Sequence, residues 1–137
     1  MKREKSCGMI LYYKGEKGIE YLLLHHPQGH FSFPKGHIEK NDKNDQETAI
    51  RELEEETGIK DAIFEKKFKT YIKYSFKHEN QTIFKIVYFY LARTKTKKVK
   101  LSHEHVDFIW LTYDEAYKKA TFENTKKILK KANEYLT

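Results

Sequence analysis

A single cysteine, Cys7, stands among the 137 residues, so no internal disulfide can form and a reducing cytoplasm is the expected compartment. Cys7 lies in the apolar run Cys7-Gly8-Met9-Ile10-Leu11, where a small core residue is expected rather than a nucleophile. No apolar run approaches the length of a membrane span. The stretch after Met1-Lys2-Arg3-Glu4-Lys5 is too short for a signal peptide. Internal repeats and linkers are also lacking, which leaves residues 1–137 to form one domain. Membrane insertion is not expected, and a monomer is.

Core material is ample. Nine Phe, ten Tyr and a hydrophobic share of 39% can fill the interior without a disulfide or a structural metal. The charged share is 34%, but apolar runs recur along the chain, which argues for folding throughout. A net charge of +7 invites an anionic partner; nucleic acid, polyphosphate and a membrane surface all satisfy charge alone. The basic runs Arg93–Lys100 and Lys126–Lys131 read as solvated surface, so a nucleic-acid partner is not expected. The acidic segment Glu47–Glu56 is less expected in a basic chain, and chemistry is best sought there.

The pattern predicts strands at Met9–Tyr13 and Tyr21–Leu24, joined by a turn over Lys14–Gly18. Residues His25–Gly36 have no clean period and hold both prolines, Pro27 and Pro34, so they read as a loop. An Asn or Asp in Asn41–Asp45 can cap a helix over Gln46–Thr57, with Gly58 as its stop. Phe68–Phe76 and Ile83–Leu91, rich in aromatic and β-branched residues, predict two strands of a hairpin turning at His78–Gln81. A short strand at Phe108–Leu111 precedes helices at Asp114–Ala120 and Glu123–Tyr135, the second burying Ile128, Leu129 and Ala132. This order suggests an α+β fold, a mixed sheet covered by helices.

At about 100° per residue, Glu52, Glu55 and Glu56 share one stripe of the first helix, beside an apolar stripe of Ala49, Ile50 and Leu53. Like charges at this spacing repel by about 0.2–0.5 kcal/mol per pair at a surface. Crowding them at the edge of a core costs more unless a cation sits among them. Oxygen-only ligands suit a hard ion such as Mg²⁺. A solvated acidic face explains the same composition, and the stripe alone leaves both readings open.

Gly36, followed by a loop and then Arg51-Glu52-Leu53-Glu54-Glu55-Glu56-Thr57-Gly58-Ile59, resembles the Nudix box. The second half matches that family's pattern at every fixed position. The first half departs: fourteen residues separate Gly36 from Arg51, one more than the pattern allows. Counting from Gly36 places the box's first Glu at Asp42, and counting back from Arg51 places it at Lys43. That Glu is therefore absent or replaced by Asp42, at a position the family uses to tie the loop to the helix. Phe33-Pro34-Lys35-Gly36-His37-Ile38-Glu39 and Leu101-Ser102-His103-Glu104-His105, with Trp110-Leu111, Glu115-Ala116 and Phe122, are similar to the asymmetrical diadenosine tetraphosphate hydrolases within the family. So is Lys85-Ile86-Val87 before Leu91-Ala92.

The resemblance implies the Nudix fold, an α/β/α sandwich, and hydrolysis of a dinucleoside polyphosphate to ATP and AMP with Mg²⁺, for which Mn²⁺ can substitute. It implies metal ligation by Glu52, Glu55, Glu56, Glu104 and the Gly36 carbonyl. Arg51 is expected to pair with a box carboxylate such as Glu55, and Glu52, Glu56 and Glu104 are the candidate bases. Phosphate contact is expected from His30, Lys35, Lys85 and His103, and adenine stacking from Tyr74, Tyr88 or Phe122. Three alternatives share parts of this evidence. They are a Nudix enzyme acting on RNA 5′ ends, mRNA caps or diphosphoinositol phosphates, a silent nucleotide-binding Nudix module, and a basic nucleic-acid-binding domain without hydrolysis.

Overall fold

The computed structural model describes residues 2–105 and 107–137. The chain runs β1 (Lys2–Gly15), β2 (Gly18–His25), β3 (Phe31–Ser32), β4 (Lys35–His37), α1 (Asp45–Thr57), β5 (Ile63–His78), β6 (Gln81–Thr94), β7 (Asp107–Thr112), α2 (Tyr113–Lys119) and α3 (Glu123–Leu136). The strands form one sheet in the order β3-β2-β1-β6-β5, with β4 paired to β1 and β7 to β2. The sheet is mixed because β1 and β6 run parallel from Lys2↔Ile83 to Tyr13↔Thr94, while the other pairs are antiparallel.

Alternation along β1 separates two cores. Ile10 and Tyr12 point to one face, with Leu23, Val87, Phe89, Leu91 and the α3 residues Ile128, Leu129 and Ala132. Cys7, Met9 and Leu11 point to the other, with Leu22, Leu24 and the α1 residues Ala49 and Leu53. Helices thus cover both faces, as the expected sandwich requires. Cys7 is fully buried, and its burial pushes the thiol up to about 11, consistent with a core residue.

The strands extend beyond the apolar runs that announce them. β1 begins at Lys2 rather than near Met9, because its polar start pairs with β6 along one edge. The segment His25–Gly36 is not wholly a loop: Phe31–Ser32 pairs with β2, and Lys35–His37 pairs with β1. Neither pairing has a local hydrophobic period to reveal it. At the β5–β6 turn, Glu79 and Asn80 take φ of 52° and 64°, as a two-residue hairpin needs. Asn44 caps α1 by accepting from the Glu47 N–H at 2.8 Å, and Gly58 closes it in the left-handed region at φ 75°.

Candidate active site

Helix α1 presents its carboxylates beside the β4 strand. Glu56 is buried; its Oε2 accepts the backbone N–H of Lys35 at 3.1 Å. Glu52 lies so close to Gly36 that a Cβ there would fall on the Glu52 carboxylate. Only glycine lets the β4 backbone approach the helix this way. Burial, followed by repulsion from Glu52 and Glu104, pushes the Glu56 carboxyl up to about 8. Glu52 is also raised, by burial first, against the pull of Arg51. The helix thus holds carboxylates in a setting that opposes their charge.

Arg51 ties these groups together. Its Nε and Nη2 donate to both oxygens of Asp42 at 3.0 Å, and Nη2 also reaches the His37 carbonyl at 2.7 Å. Nη1 donates to Glu52 at 3.0 Å and Glu55 at 3.2 Å. Asp42 further accepts from the Glu39 N–H and the Thr48 hydroxyl, each at 2.9 Å. Asp42, rather than Lys43, therefore does what the missing glutamate would do in fastening loop to helix. These bonds, Arg51's first, hold its carboxyl well below the usual carboxylate range.

The segment after β6 is fastened against the C-terminal end of α1. Lys100 N–H donates to the Thr57 carbonyl at 2.8 Å and Ser102 N–H to the Glu56 carbonyl at 3.3 Å. A turn follows, in which the His105 N–H donates to the Ser102 carbonyl and the Ser102 hydroxyl meets His105 Nδ1 at 3.2 Å. This turn aims His105 inward, with Nε2 3.8 Å from Glu56 Oε1. His103 and Glu104 stay exposed, yet Glu104 is near enough to raise Glu56.

Lys35 links this cluster to a cleft of about 810 Å³ on the α3 side of the sheet. His30, Tyr74, Lys85 and Phe122 line the same cleft. Lys35 Nζ donates to the Tyr74 hydroxyl at 3.3 Å, and burial lowers its pKa despite Glu56. Phe122 is 52% exposed, and His30 lies 5.3 Å from its ring, so Phe122 is a rim residue rather than core.

Two expected contacts are not brought to this cleft. Tyr88 alternates with Lys85 and Phe89 on β6 and packs with the opposite core, because successive side chains on a strand face opposite ways. His103 is on the exposed side of its turn, and His105 takes the inward place. His26, which no sequence signal marks, joins the same cluster. Its ring stacks on His30 at 4.2 Å, meets His105 edge-on at 4.8 Å and bonds the Ser32 hydroxyl at 2.9 Å. The pairing of β3 with β2 makes this arrangement, and no local motif marks it.

Burial, with His30, His105, Lys35 and His25 around it, holds His26 down to about 3. A histidine lowered from 6.5 leaves stability intact above that value and removes it as pH falls toward 3. Acid unfolding between pH 6 and 4 is therefore expected to be less steep in His26→Gln than in the parent, as measured by urea midpoints across pH. Identical slopes would show that His26 titrates freely in the folded protein.

The donor chemistry fits a divalent cation. Four carboxylates and the Gly36 backbone offer hard oxygens, and two of the carboxylates are held where charge is disfavoured without a counter-ion. Among the described residues no three His, Cys, Asp or Glu side chains stand ready as a complete cage. Arg51 and the Lys35 N–H engage the carboxylates instead, and Mg²⁺ commonly uses only one or two, with substrate phosphates completing the shell.

The description "NUDIX domain" belongs to the family model that matches residues 2–132. The rat bis(5′-nucleosyl)-tetraphosphatase (asymmetrical) is 33% identical, over 96% of this chain and 95% of its own. The pig protein of the same name is 34% identical at the same coverage. A solved Ap4A hydrolase binary complex from C. elegans superposes with a TM-score of 0.85 at 29% identity, over 97% of each chain. The E. coli dihydroneopterin triphosphate pyrophosphohydrolase gives 0.73 at 15% identity, over 96% of this chain and 97% of its own, a likeness of fold alone.

Proposed function

The chain belongs to the NUDIX domain family, and from that premise we propose that it hydrolyses diadenosine tetraphosphate asymmetrically, to ATP and AMP. The observation that carries this reading is the double placement of Lys35. Its backbone is bonded to Glu56 in the carboxylate cluster, while its ammonium lies in the cleft beside Tyr74. Hydrolytic groups and a cavity large enough for a nucleotide therefore meet at one residue.

Divalent cations, Mg²⁺ with Mn²⁺ as substitute, would be held by Glu52, Glu55, Glu56, Glu104 and the Gly36 carbonyl, supplying charge screening and Lewis acidity. Lys35, Lys85 and His30 line the path a polyphosphate would take from the carboxylates into the cleft. Lysine ammonium groups there oppose the negative charge that builds on phosphate oxygens during displacement. Tyr74 and Phe122 offer ring faces for one adenine. Among the carboxylates, Glu104 is exposed, and its side chain has no hydrogen-bond or ion-pair partner among the described residues. One of Glu52, Glu56 and Glu104 accepts the attacking water's proton. Water then bonds to the phosphorus of one AMP unit as the bridging oxygen leaves with ATP. Among the described residues no helix is long and apolar enough to cross a membrane.

Hydrolysis in ¹⁸O-labelled water, with products resolved by mass spectrometry, tests the reading. ATP and AMP are expected in equal amounts, with the label in AMP. Two ADP molecules per substrate would mean symmetric cleavage and would overturn the assignment. Phe122→Ala is expected to raise KM about tenfold, in line with the loss of one base–ring stack. Its exposure predicts an unchanged melting temperature.

A further inference from the structure

The hydrolytic site uses one face of strands β5 and β6. Their other face, beyond the part covered by α1, carries an interleaved set of rings and cations. Strand register places Tyr71 opposite Tyr88, and Lys73 opposite Ile86, whose neighbour on β1 is Lys5. Tyr71 is 52% exposed and Phe84, two rows along, 39%. Lys5 and Lys69 lie over the Tyr88 ring at 5.1 and 4.7 Å, and Lys73 over the Tyr71 ring at 5.3 Å. The rings of Tyr71 and Tyr88 are 6.1 Å apart. Among the described residues the one carboxylate bonded to these lysines is Asp45, 3.0 Å from Lys5.

This surface continues around the sheet edge. A groove of about 370 Å³ between β5 and α3 is lined by Tyr71, Lys73, Lys127, Lys130 and Lys131, with Glu134 its only acid. The groove shares Ile72 and Asn124 with the hydrolytic cleft. Part of the basic run Lys126–Lys131, which the sequence presents as plain solvated surface, is thereby gathered beside the exposed Tyr71.

We propose that the β5–β6 face and the adjoining groove form a binding site for single-stranded nucleic acid. Lysines guarding an edge strand would account for Lys69 and Lys73 alone. They do not account for two tyrosines between cations, or for lysines supplied from a separate helix to the same groove. A single strand satisfies both features. Its phosphates match the lysines, and its unpaired bases can stack on rings that a duplex cannot reach. The site is independent of which nucleotide the carboxylate cluster hydrolyses.

The test is fluorescence anisotropy with a 3′-labelled, 5′-hydroxyl oligouridylate of twelve nucleotides, in EDTA to prevent turnover. Binding is expected to weaken with salt, and a duplex of equal length should bind at least about tenfold more weakly. Tyr71→Ala should weaken single-strand binding about tenfold, in line with one lost stack. Lys69→Glu with Lys73→Glu should weaken it more and reduce the salt slope by about 0.7 per lysine. Both variants should hydrolyse diadenosine tetraphosphate within about twofold of the parent rate. Absence of binding at 50 mM salt, equal affinity for duplex, or undiminished binding by Tyr71→Ala would overturn the proposal. So would capture by phosphatidylserine vesicles without capture of the oligonucleotide.

Discussion

Glu56→Gln is expected to lower kcat on diadenosine tetraphosphate by at least about two orders of magnitude at saturating Mg²⁺, without destabilising the metal-free protein. Both halves come from the same surroundings. Glu56 is 6% exposed, and its carboxyl is pushed up to about 8 by burial and by Glu52 and Glu104. Glutamine keeps the shape and can still accept the Lys35 N–H through its carbonyl oxygen. It cannot supply the negative charge that a bound cation needs. The pH dependence separates charge from shape. A carboxyl raised above its ordinary 4.5 contributes stability below that value and loses it as pH rises through about 8. Melting in EDTA should therefore fall for the parent between pH 6 and 9 and stay flatter for Glu56→Gln. A variant with near-normal turnover would remove Glu56 from the site.

The helix that carries this residue was legible in the sequence because its signals are local. Glu52, Glu55, Glu56 and the apolar Ala49 and Leu53 repeat at helical spacing, and Asn44 and Gly58 mark its ends. Aromatic and β-branched content, with a polar turn at His78–Gln81, likewise announced the β5–β6 hairpin. What the pattern could not supply depends on pairing between distant segments. β3 and β4 are two and three residues long, and only their partners β2 and β1 define them. The histidine cluster of His26, His30 and His105 is assembled by those pairings and by a turn some 75 residues on. Tyr88 falls on the face away from the cleft, against expectation, for a related reason. Aromatic residues crowd β6 on both faces, so ring content alone does not say which face meets the cleft, whereas parity with Lys85 does.

Arg51→Lys is expected to lower kcat about a hundredfold and the melting temperature by roughly 5 °C, despite preserving the charge. Arg51 spans five groups at once: Asp42, Glu39, Glu52, Glu55 and the His37 carbonyl. A guanidinium does this through planar, forked donors, of which two meet both oxygens of Asp42. A lysine ammonium is a point donor and must abandon either the loop or the helix. If it keeps Asp42, then Glu52 and Glu55 repel each other without a restraint. If it keeps the helix carboxylates, the Asp42 end of the loop is released. Asp42→Asn attacks the same joint from the other side. Asp42 is held below its ordinary 3.8 chiefly by Arg51, so it contributes stability above that pH and loses it as pH falls below. The acid limb below pH 4 should then be shallower in Asp42→Asn than in the parent. The two substitutions should also be far from additive, because either one alone opens the joint. Additive losses in melting temperature and kcat would mean that Asp42 and Arg51 act separately. In that case the extra residue between Gly36 and Arg51 would have to be accommodated by some contact other than this pair.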